Sequence, residues 1–462
     1  MTAAQVLTAA QMRAAEQALF DAGVSVSALM ETAAGGAGEW IRRIAAGRSV
    51  AVLCGPGNNG GDGYVIARLL RKAGNAVTVI APLAPATDAA KEAKRRWDGP
   101  VATAGGAGGD VFVDCLFGSG LTRPLCAEHA LLLRDLAARH RYKVAVDVPS
   151  GIASDSGAAL NERLPRFDLT LALGAWKLAH WSLPGRALMG QMRLVPIGIG
   201  AVEGAARLIG RPRLVPPAPD AHKYTRGLCA IVAGTMPGAA VLASLAAQRG
   251  GAGYVKLLAE TCPGNLPASI PASEQPLPEA LGDTRIGAVL VGPGLGTDAA
   301  ARHRLAQVVA SPHPLVIDAD GLRLLGTEVW ERKAPTLATP HDGELETLCR
   351  SFNVVAEGRR NRALALARAS GMVICAKGPD TVIAAPDGRL ALAPPAPSWL
   401  SMAGTGDVLA GIAVSRMAAG RDPFAAACEA VWLHGQAARL CGAAFTPEEL
   451  AQAVSEALAA AL

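Results

Sequence analysis

Residues 401–411 read Ser-Met-Ala-Gly-Thr-Gly-Asp-Val-Leu-Ala-Gly, with two glycines around Thr405 and a carboxylate directly behind them. Gly404 and Gly406 let the backbone turn tightly and approach a ligand closely. A helical pattern then runs from Val408 to Ala419. The free N–H groups of its first turn, together with the helix dipole, favour an anion. Asp407 is the only charged group in the segment. A base beside a phosphate cradle is what transfer of a phosphoryl group to a hydroxyl needs. The plainer alternative is a glycine-rich loop whose aspartate caps a helix.

A second constellation lies in the first half. A strand-like run at 49–53 enters Cys-Gly-Pro-Gly-Asn-Asn-Gly-Gly-Asp-Gly at 54–63, after which a helix is expected over 64–73. Gly55, Gly57 and Gly60 match the spacing of the dinucleotide fingerprint in its strand–turn–helix context. The next strand ends in Ala81-Pro82-Leu83, without the carboxylate that would hold a ribose, and Asn58, Asn59 and Asp62 are polar groups a plain pyrophosphate turn does not need. Asp114 and Asp147 each end a strand-like run ahead of a glycine turn, at 118–123 and 150–151. In a doubly wound sheet such loops converge on one crevice. Their carboxylate, amide and hydroxyl oxygens suit a hard cation, although each aspartate alone could be a strand-end cap.

The elements that must carry these groups follow an alternating pattern. Apolar runs at 49–53, 76–80, 111–115, 143–148 and 169–173 read as buried strands, with helices such as 64–73 and 128–139 between them. That pattern predicts a parallel sheet covered on both faces. Thr8 begins an N-terminal helix, with Gln11 as its capping-box partner. Residues 203–222, with Arg-Pro-Arg and Pro-Pro-Ala-Pro, break the rhythm and read as a proline-rich linker. The domains are therefore expected at 1–208 and 214–462. The second series has strands at 228–233, 253–258, 288–291, 315–318, 372–376 and 381–385, closed by helices at 406–419 and 422–440. The Gly/Ala-rich stretch 102–109 is expected to be a loop.

Composition bounds the function. A chain of 462 residues exceeds one core. The net charge of +5 comes from 44 basic and 39 acidic residues without a long basic run, so nucleic acid is not implied and a small anion is. No apolar run approaches the length of a membrane span, and residues 1–20 carry no signal-peptide pattern. Nine cysteines without a Cys-x-x-Cys pair, among them Cys54, Cys115, Cys229 and Cys375 in strand-like runs, read as reduced core residues in a cytoplasmic protein.

These motifs also carry a resemblance. Gly-Pro-Gly-Asn-Asn-Gly-Gly-Asp-Gly at 55–63, Asp114 before Gly-Ser-Gly-Leu at 118–121, and Asp147-Val-Pro-Ser-Gly resemble the NAD(P)H-hydrate epimerase domain, over about residues 1–205. The resemblance implies that Asn58, Asn59, Gly60, Gly61 and Asp62 hold a hydrated nicotinamide dinucleotide together with Gly118, Ser119, Gly120, Leu121, Thr122, Arg123 and Pro124. It implies that Asp147 acts at the reacting ring and that Asn59, Asp114 and Ser150 bind K+. Thr32 stands where the family usually has an asparagine.

The second half resembles the ribokinase-like NAD(P)H-hydrate dehydratase, through His222-Lys-Tyr-Thr-Arg-Gly, Gly292-Pro-Gly-Leu-Gly, Thr339-Pro-His-Asp-Gly-Glu, Lys377-Gly-Pro-Asp-Thr and the Gly-Thr-Gly-Asp loop. By that resemblance Lys377, Gly378, Pro379, Asp380, Thr381 and Gly406 bind the adenine nucleotide, while Ala239, Gly296, His341 and Asp407 face the hydrate. Asp342 replaces the family's common proline, and Ser401-Met402-Ala403 leads the last loop in place of the usual residues. The implied fold is a Rossmann-like doubly wound domain followed by a ribokinase-like α/β domain. The implied function is repair: epimerisation of the R and S hydrates, then dehydration of the S form with ADP or ATP and Mg2+, in a homo-oligomer. The rival readings are a ribokinase-type vitamin-precursor kinase with an accessory Rossmann domain, and a non-catalytic dinucleotide-binding scaffold.

Overall fold

The computed structural model describes residues 4–102, 109–264, 266–326, 330 and 332–462. It divides into two compact units, Met1–Arg207 and Leu208–Leu462.

The first unit is built on a seven-stranded sheet. Its order is Val101–Ala102, Val77–Ile80, Val50–Cys54, Gly109–Cys115, His140–Val146, Leu169–Leu173 and Gln191–Val195, every pairing parallel. Side chains alternate between two cores. Val50, Val52 and Cys54 pack with helices Val26–Ala45 and Asn58–Lys72, whereas Ala51 and Leu53 pack with Ala127–Arg139. Burial on both faces is why these strands read as unbroken apolar runs. A short strand, Gln5–Leu7, pairs antiparallel with 206–207 and parallel with Trp176–Lys177. Thr8 then caps helix Ala9–Asp21 in the expected box with Gln11.

The second unit orders its sheet Ala272–Ser273, Tyr254–Leu258, Leu228–Val232, Ile286–Val291, Leu315–Ile317, Thr336–Ala338, Val373–Ala376, Val382–Ala384 and Leu390–Leu392. The pairings are parallel through Val373–Ala376 and antiparallel beyond. Helices Pro237–Arg249, Thr405–Ala418, Pro423–Cys441 and Pro447–Ala459 cover one face, and Ala299–Ala310, Asp342–Ser351 and Arg359–Ser370 the other.

Three expectations need correction. The loop expected at 58–63 is the start of helix Asn58–Lys72, because its glycines permit close packing. A Cβ on Gly63 would stand 2.7 Å from Cys54 Sγ, and one on Gly61 2.5 Å from the end of Met30. The stretch 203–222 is not a bare linker, since Ala206–Leu208 is a strand and Ile209 and Leu214 are buried in the second unit's core. Helix Pro447–Ala459 was not expected, although Thr446, Pro447 and Glu449 spell its capping box. Of the Gly/Ala stretch, residues 103–108 lie outside the described residues. No helix among the described residues is long and apolar enough to cross a membrane. Cys54, Cys115, Cys229 and Cys375 are free and buried, with burial pushing the thiols of Cys229 and Cys375 up to about 12.

Candidate functional site

Each unit gathers charged groups at the carboxyl ends of its parallel strands. In the first unit the centre is Asp147, one residue past strand His140–Val146. Its backbone takes φ +68°, a conformation that costs a non-glycine residue and is tolerated where surrounding contacts fix it. The Asp147 N–H donates to Leu171 O at 2.8 Å, and its own carbonyl accepts from His180 Nε2 at 2.8 Å. Its Oδ2 accepts from Ser119 N at 2.8 Å, and its Oδ1 stands 2.5 Å from Lys177 Nζ. Burial would raise this carboxyl, but the Lys177 ammonium and the Ser119 amide outweigh it and hold the pKa below its ordinary value.

Lys177 was missed in the sequence, and it is the most informative omission. It is 1% exposed and also donates to Leu173 O at 2.5 Å. The available signal was a lone lysine inside Gly-Ala-Trp-Lys-Leu-Ala, just past a buried strand. His180 accepts from the Lys177 N–H at 2.8 Å, and burial drives its pKa down to about 4, so it is neutral. Asp62 and Glu16 complete the cluster. Burial and the Asp147 charge push Asp62 well above the ordinary carboxylate range; Glu16, also missed, is raised by its own burial. A carboxyl whose pKa is held down, a buried lysine and a carboxyl whose pKa is pushed up thus share one site.

The other predicted residues of this unit fall into three groups. Gly118 lies against the centre, since a Cβ there would stand 2.9 Å from Asp147 Oδ2 and 3.3 Å from Asn59 Oδ1. Both amide atoms of Asn59 are buried without a hydrogen-bond partner. Asp114 and Ser150 form a second group: Asp114 Oδ1 accepts from Ser150 Oγ at 2.8 Å, and Oδ2 from Ser150 N at 2.9 Å. Burial raises Asp114 to about 6. Asn58, bonded to Thr87, and Thr122, Arg123 and Pro124 lie at the exposed edge with Gly120, while Leu121 is half-buried. The glycine spacing serves packing as well as ligand approach. A Cβ on Gly55 would meet Leu116 O at 1.7 Å, whereas Gly57, at the helix N-cap, faces open space. Thr32 donates to Ala28 O within its own helix.

The second unit places Asp407 inside the first turn of helix Thr405–Ala418 rather than just before the helix. Gly404 caps it at φ +90°. A Cβ on Gly406 would stand 3.5 Å from Lys377 Nζ and 3.8 Å from Asp318 Oδ2. Lys377 leaves strand Val373–Ala376 and donates to Asp318 Oδ1 at 2.6 Å. Burial, then the neighbouring Asp318 charge, lift Asp407 to about 7 against the pull of Lys377. Asp320 adds to that rise and accepts from Gly296 N at 3.0 Å, tying the predicted Gly296 to the same centre. Asp318 and Asp320 were missed, although Val-Ile-Asp-Ala-Asp-Gly repeats the strand-end aspartate pattern of the first half.

Ala239 sits in the first turn of helix Pro237–Arg249, at the end of a neighbouring strand. His341 caps helix Asp342–Ser351, its Nδ1 accepting from Gly343 N at 3.1 Å, with Glu344 closing the box at 2.8 Å. Residues 377–381 form a turn in which Thr381 Oγ1 accepts from Gly378 N at 3.1 Å. His434, also missed, donates from Nε2 to Thr405 O at 2.9 Å, and burial lowers it to about 4. The arrangement sets a helix N-terminus, which favours an anion, beside the Lys377 ammonium and a carboxylate with a pKa of about 7.

Comparison with known proteins bears on both units. Residues 229–460 match a family model described as NAD(P)H-hydrate dehydratase, and residues 26–179 one described as YjeF-related protein N-terminus. The bifunctional NAD(P)H-hydrate repair enzyme Nnr of Gloeobacter violaceus is 36% identical, over 96% of this chain and 95% of the relative. That of Thermosynechococcus vestitus is 32% identical, over 94% and 92%. A ribokinase-like superfamily protein of Enterococcus faecalis, 22% identical, aligns with a TM-score of 0.50 over 57% of this chain and 98% of its own. The ADP/ATP-dependent NAD(P)H-hydrate dehydratase from Bacillus subtilis, co-crystallized with ATP and Mg2+, aligns at 28% identity with a TM-score of 0.49, over 54% and 95%.

Proposed function

This chain belongs to the family of bifunctional NAD(P)H-hydrate repair enzymes, and from that premise we propose how its residues divide the repair. Residues 1–208 hold the epimerase and 214–462 the ADP-dependent dehydratase. The observation that carries the assignment is Asp407: a carboxylate with a pKa of about 7, placed in a helix first turn beside Lys377. A base near neutral pKa next to an anion site is matched to one task, taking a hydroxyl proton while a phosphoryl group arrives.

In the dehydratase, Asp407 takes the proton of the hydrate hydroxyl as its oxygen attacks the terminal phosphorus of ADP and the bond to the departing AMP breaks. Lys377 and the N–H groups around Gly406 hold the transferred charge, and Gly378, Pro379, Asp380 and Thr381 hold the nucleotide. Gly296, His341 and Ala239 line the hydrate side. Hydroxide leaves poorly and phosphate leaves well. Departure of phosphate, with loss of a neighbouring ring proton, restores the ring double bond. Mg2+ travels with the nucleotide and shields its phosphates.

In the epimerase, the reacting carbon carries both a hydroxyl and the ring nitrogen. Inverting it needs a bond at that carbon to open and re-form: as the hydroxyl proton is taken, the C–N bond breaks to give an aldehyde and the nitrogen is protonated, and the reverse steps on the other face of the carbonyl close the opposite epimer. Asp147, kept ionised by Lys177, takes the hydroxyl proton, and Asp62, whose pKa burial pushes up, gives the nitrogen its proton. Residues 58–62 and 118–124 hold the dinucleotide. The orphaned Asn59 amide, with the oxygens of Asp114 and Ser150, gives a donor set that fits K+. Soaking with thallium or rubidium should give an anomalous peak among those three residues, and a water-only site would count against it.

The test of the whole assignment is absorbance recovery from mixed hydrates. ADP should permit complete repair, and its omission should leave only equilibration of R and S. A stable phosphorylated product would instead favour a vitamin-precursor kinase.

A further inference from the structure

One arginine outside every predicted site residue ties two of the ligand loops together. Arg359 opens helix Arg359–Ser370. Its Nε donates to Asp342 Oδ1 at 2.8 Å and its Nη2 to Asp342 Oδ2 at 2.5 Å, a two-pronged pairing. Its Nη1 pairs with Asp380 Oδ1 as well. The guanidinium also lies flat against the nucleotide loop: a Cβ on Gly378 would stand 2.3 to 2.7 Å from Nη1, Cζ and Nη2. Asp342 follows His341 on the hydrate side, and Asp380 lies in the nucleotide loop. The arginine side chain is 18% exposed and Asp380 15%, so this is not a loose surface pair.

The other ties of the 377–381 loop are short. Thr381 bonds Gly378 within the loop, and the Lys377 N–H donates to Pro340 O at 2.7 Å. The Arg359 fork joins the Gly378–Asp380 end to the next loop through side chains. A planar guanidinium has five donors in a fixed geometry, and it can hold two carboxylates without rearranging.

We propose that Arg359 is a positioning residue for the adenine nucleotide, holding residues 378–380 in binding shape through Asp342 and Asp380. This rests on the reading of 377–381 as the nucleotide loop. The hydrate site at Asp407 and Gly296 has its own supports and does not need the fork. Arg359 touches no reacting atom, so its loss should weaken nucleotide binding and leave the chemical step.

The test uses the full chain. ADP binding is measured by equilibrium dialysis, and KM for ADP, KM for the hydrate and kcat by recovery of absorbance. Arg359→Ala should raise the Kd and KM for ADP on the order of tenfold or more, with the hydrate KM and saturating kcat within about twofold. Asp342→Ala should raise KM for ADP by a smaller factor, because Asp380 still holds the guanidinium. The Arg359→Ala/Asp342→Ala double variant should be no worse than Arg359→Ala alone, because the carboxylate acts only through the arginine. Arg359→Lys keeps the charge without the fork and should fall between parent and alanine. An ADP Kd within twofold of the parent in Arg359→Ala overturns the proposal. So does a parallel rise in both KM values, which would mark general damage to the unit. A parent that binds ADP through Arg359 yet consumes no hydrate would refute the dehydratase reading and leave this inference standing. A parent that binds no ADP would refute both.

Discussion

Both units set a lysine against a strand-end aspartate, and they use it differently. In the first, Lys177 and Asp147 are 1% and 9% exposed, and Asp147 is itself the proposed base. In the second, Lys377 and Asp318 are 19% and 2% exposed, and the proposed base is a third group, Asp407. The first pair is sealed and holds its carboxylate ionised at any pH near neutrality. The second has the more exposed ammonium, and burial, then the Asp318 charge, brings Asp407 to about 7. One lysine fixes a charge within the fold, and the other is the proposed contact for an incoming phosphate.

The comparison breaks most sharply at Asp407. Asp407→Asn should lower the nucleotide-dependent step on the order of 100- to 10,000-fold and leave R/S equilibration intact, followed by absorbance with and without ADP. Retained dehydration would remove the residue from its role.

Removing either lysine comes next, because each strands a buried carboxylate. Lys177→Met leaves Asp147, and Lys377→Met leaves Asp318, without its cation, so each should destabilise its own unit by about 3–5 kcal/mol. Only Lys377→Met should also abolish ADP retention. Denaturant unfolding and ADP binding of both variants check this, and unchanged stability in either would contradict it.

A third distinction is in pH. Dehydration should fall about tenfold for each pH unit below 7, because Asp407 must be ionised to act. The sign on stability is opposite. The folded pKa of Asp407 lies above that of an unfolded aspartate, so its protonated form favours folding, and that contribution is lost as pH rises from about 4 to 7. Asp407→Asn should therefore raise the melting temperature of the second unit at pH 8 by a few degrees, more than at pH 5. No difference between the two pH values would place Asp407 in a more solvated environment.

The smallest effect concerns the boundary. Ile209 is 4% exposed within the second core, so a fragment beginning at 208 should be more stable than one beginning at 214, by about 1.5–3 kcal/mol. Both should consume only the S hydrate, and a fragment ending at 207 should equilibrate R and S unaided.

Much of this molecule was legible in its sequence, for identifiable reasons. Buried parallel strands must be apolar throughout, so 169–173 was readable to the residue, and the Thr8–Gln11 box marked its helix. The glycine segment 58–63 misled because glycine is a poor helix former, yet the tertiary contacts of Gly61 and Gly63 require it inside a helix. The stretch 203–222 misled because its prolines hid two isolated apolar residues that the second core takes up.

By itself the sequence located the segments where glycines and strand-end carboxylates gather, because Gly-Thr-Gly-Asp, the asparagine–glycine segment and the strand-end aspartates are each marked by neighbours only a few positions away. Only the tertiary structure decided the partners. Lys177 lies 30 positions beyond Asp147, Lys377 59 beyond Asp318, and Arg359 joins positions 17 before and 21 after it. Those separations have no period and no spacing rule. They are set by which strands lie side by side in the sheet, and so by how the chain packs rather than by its local order.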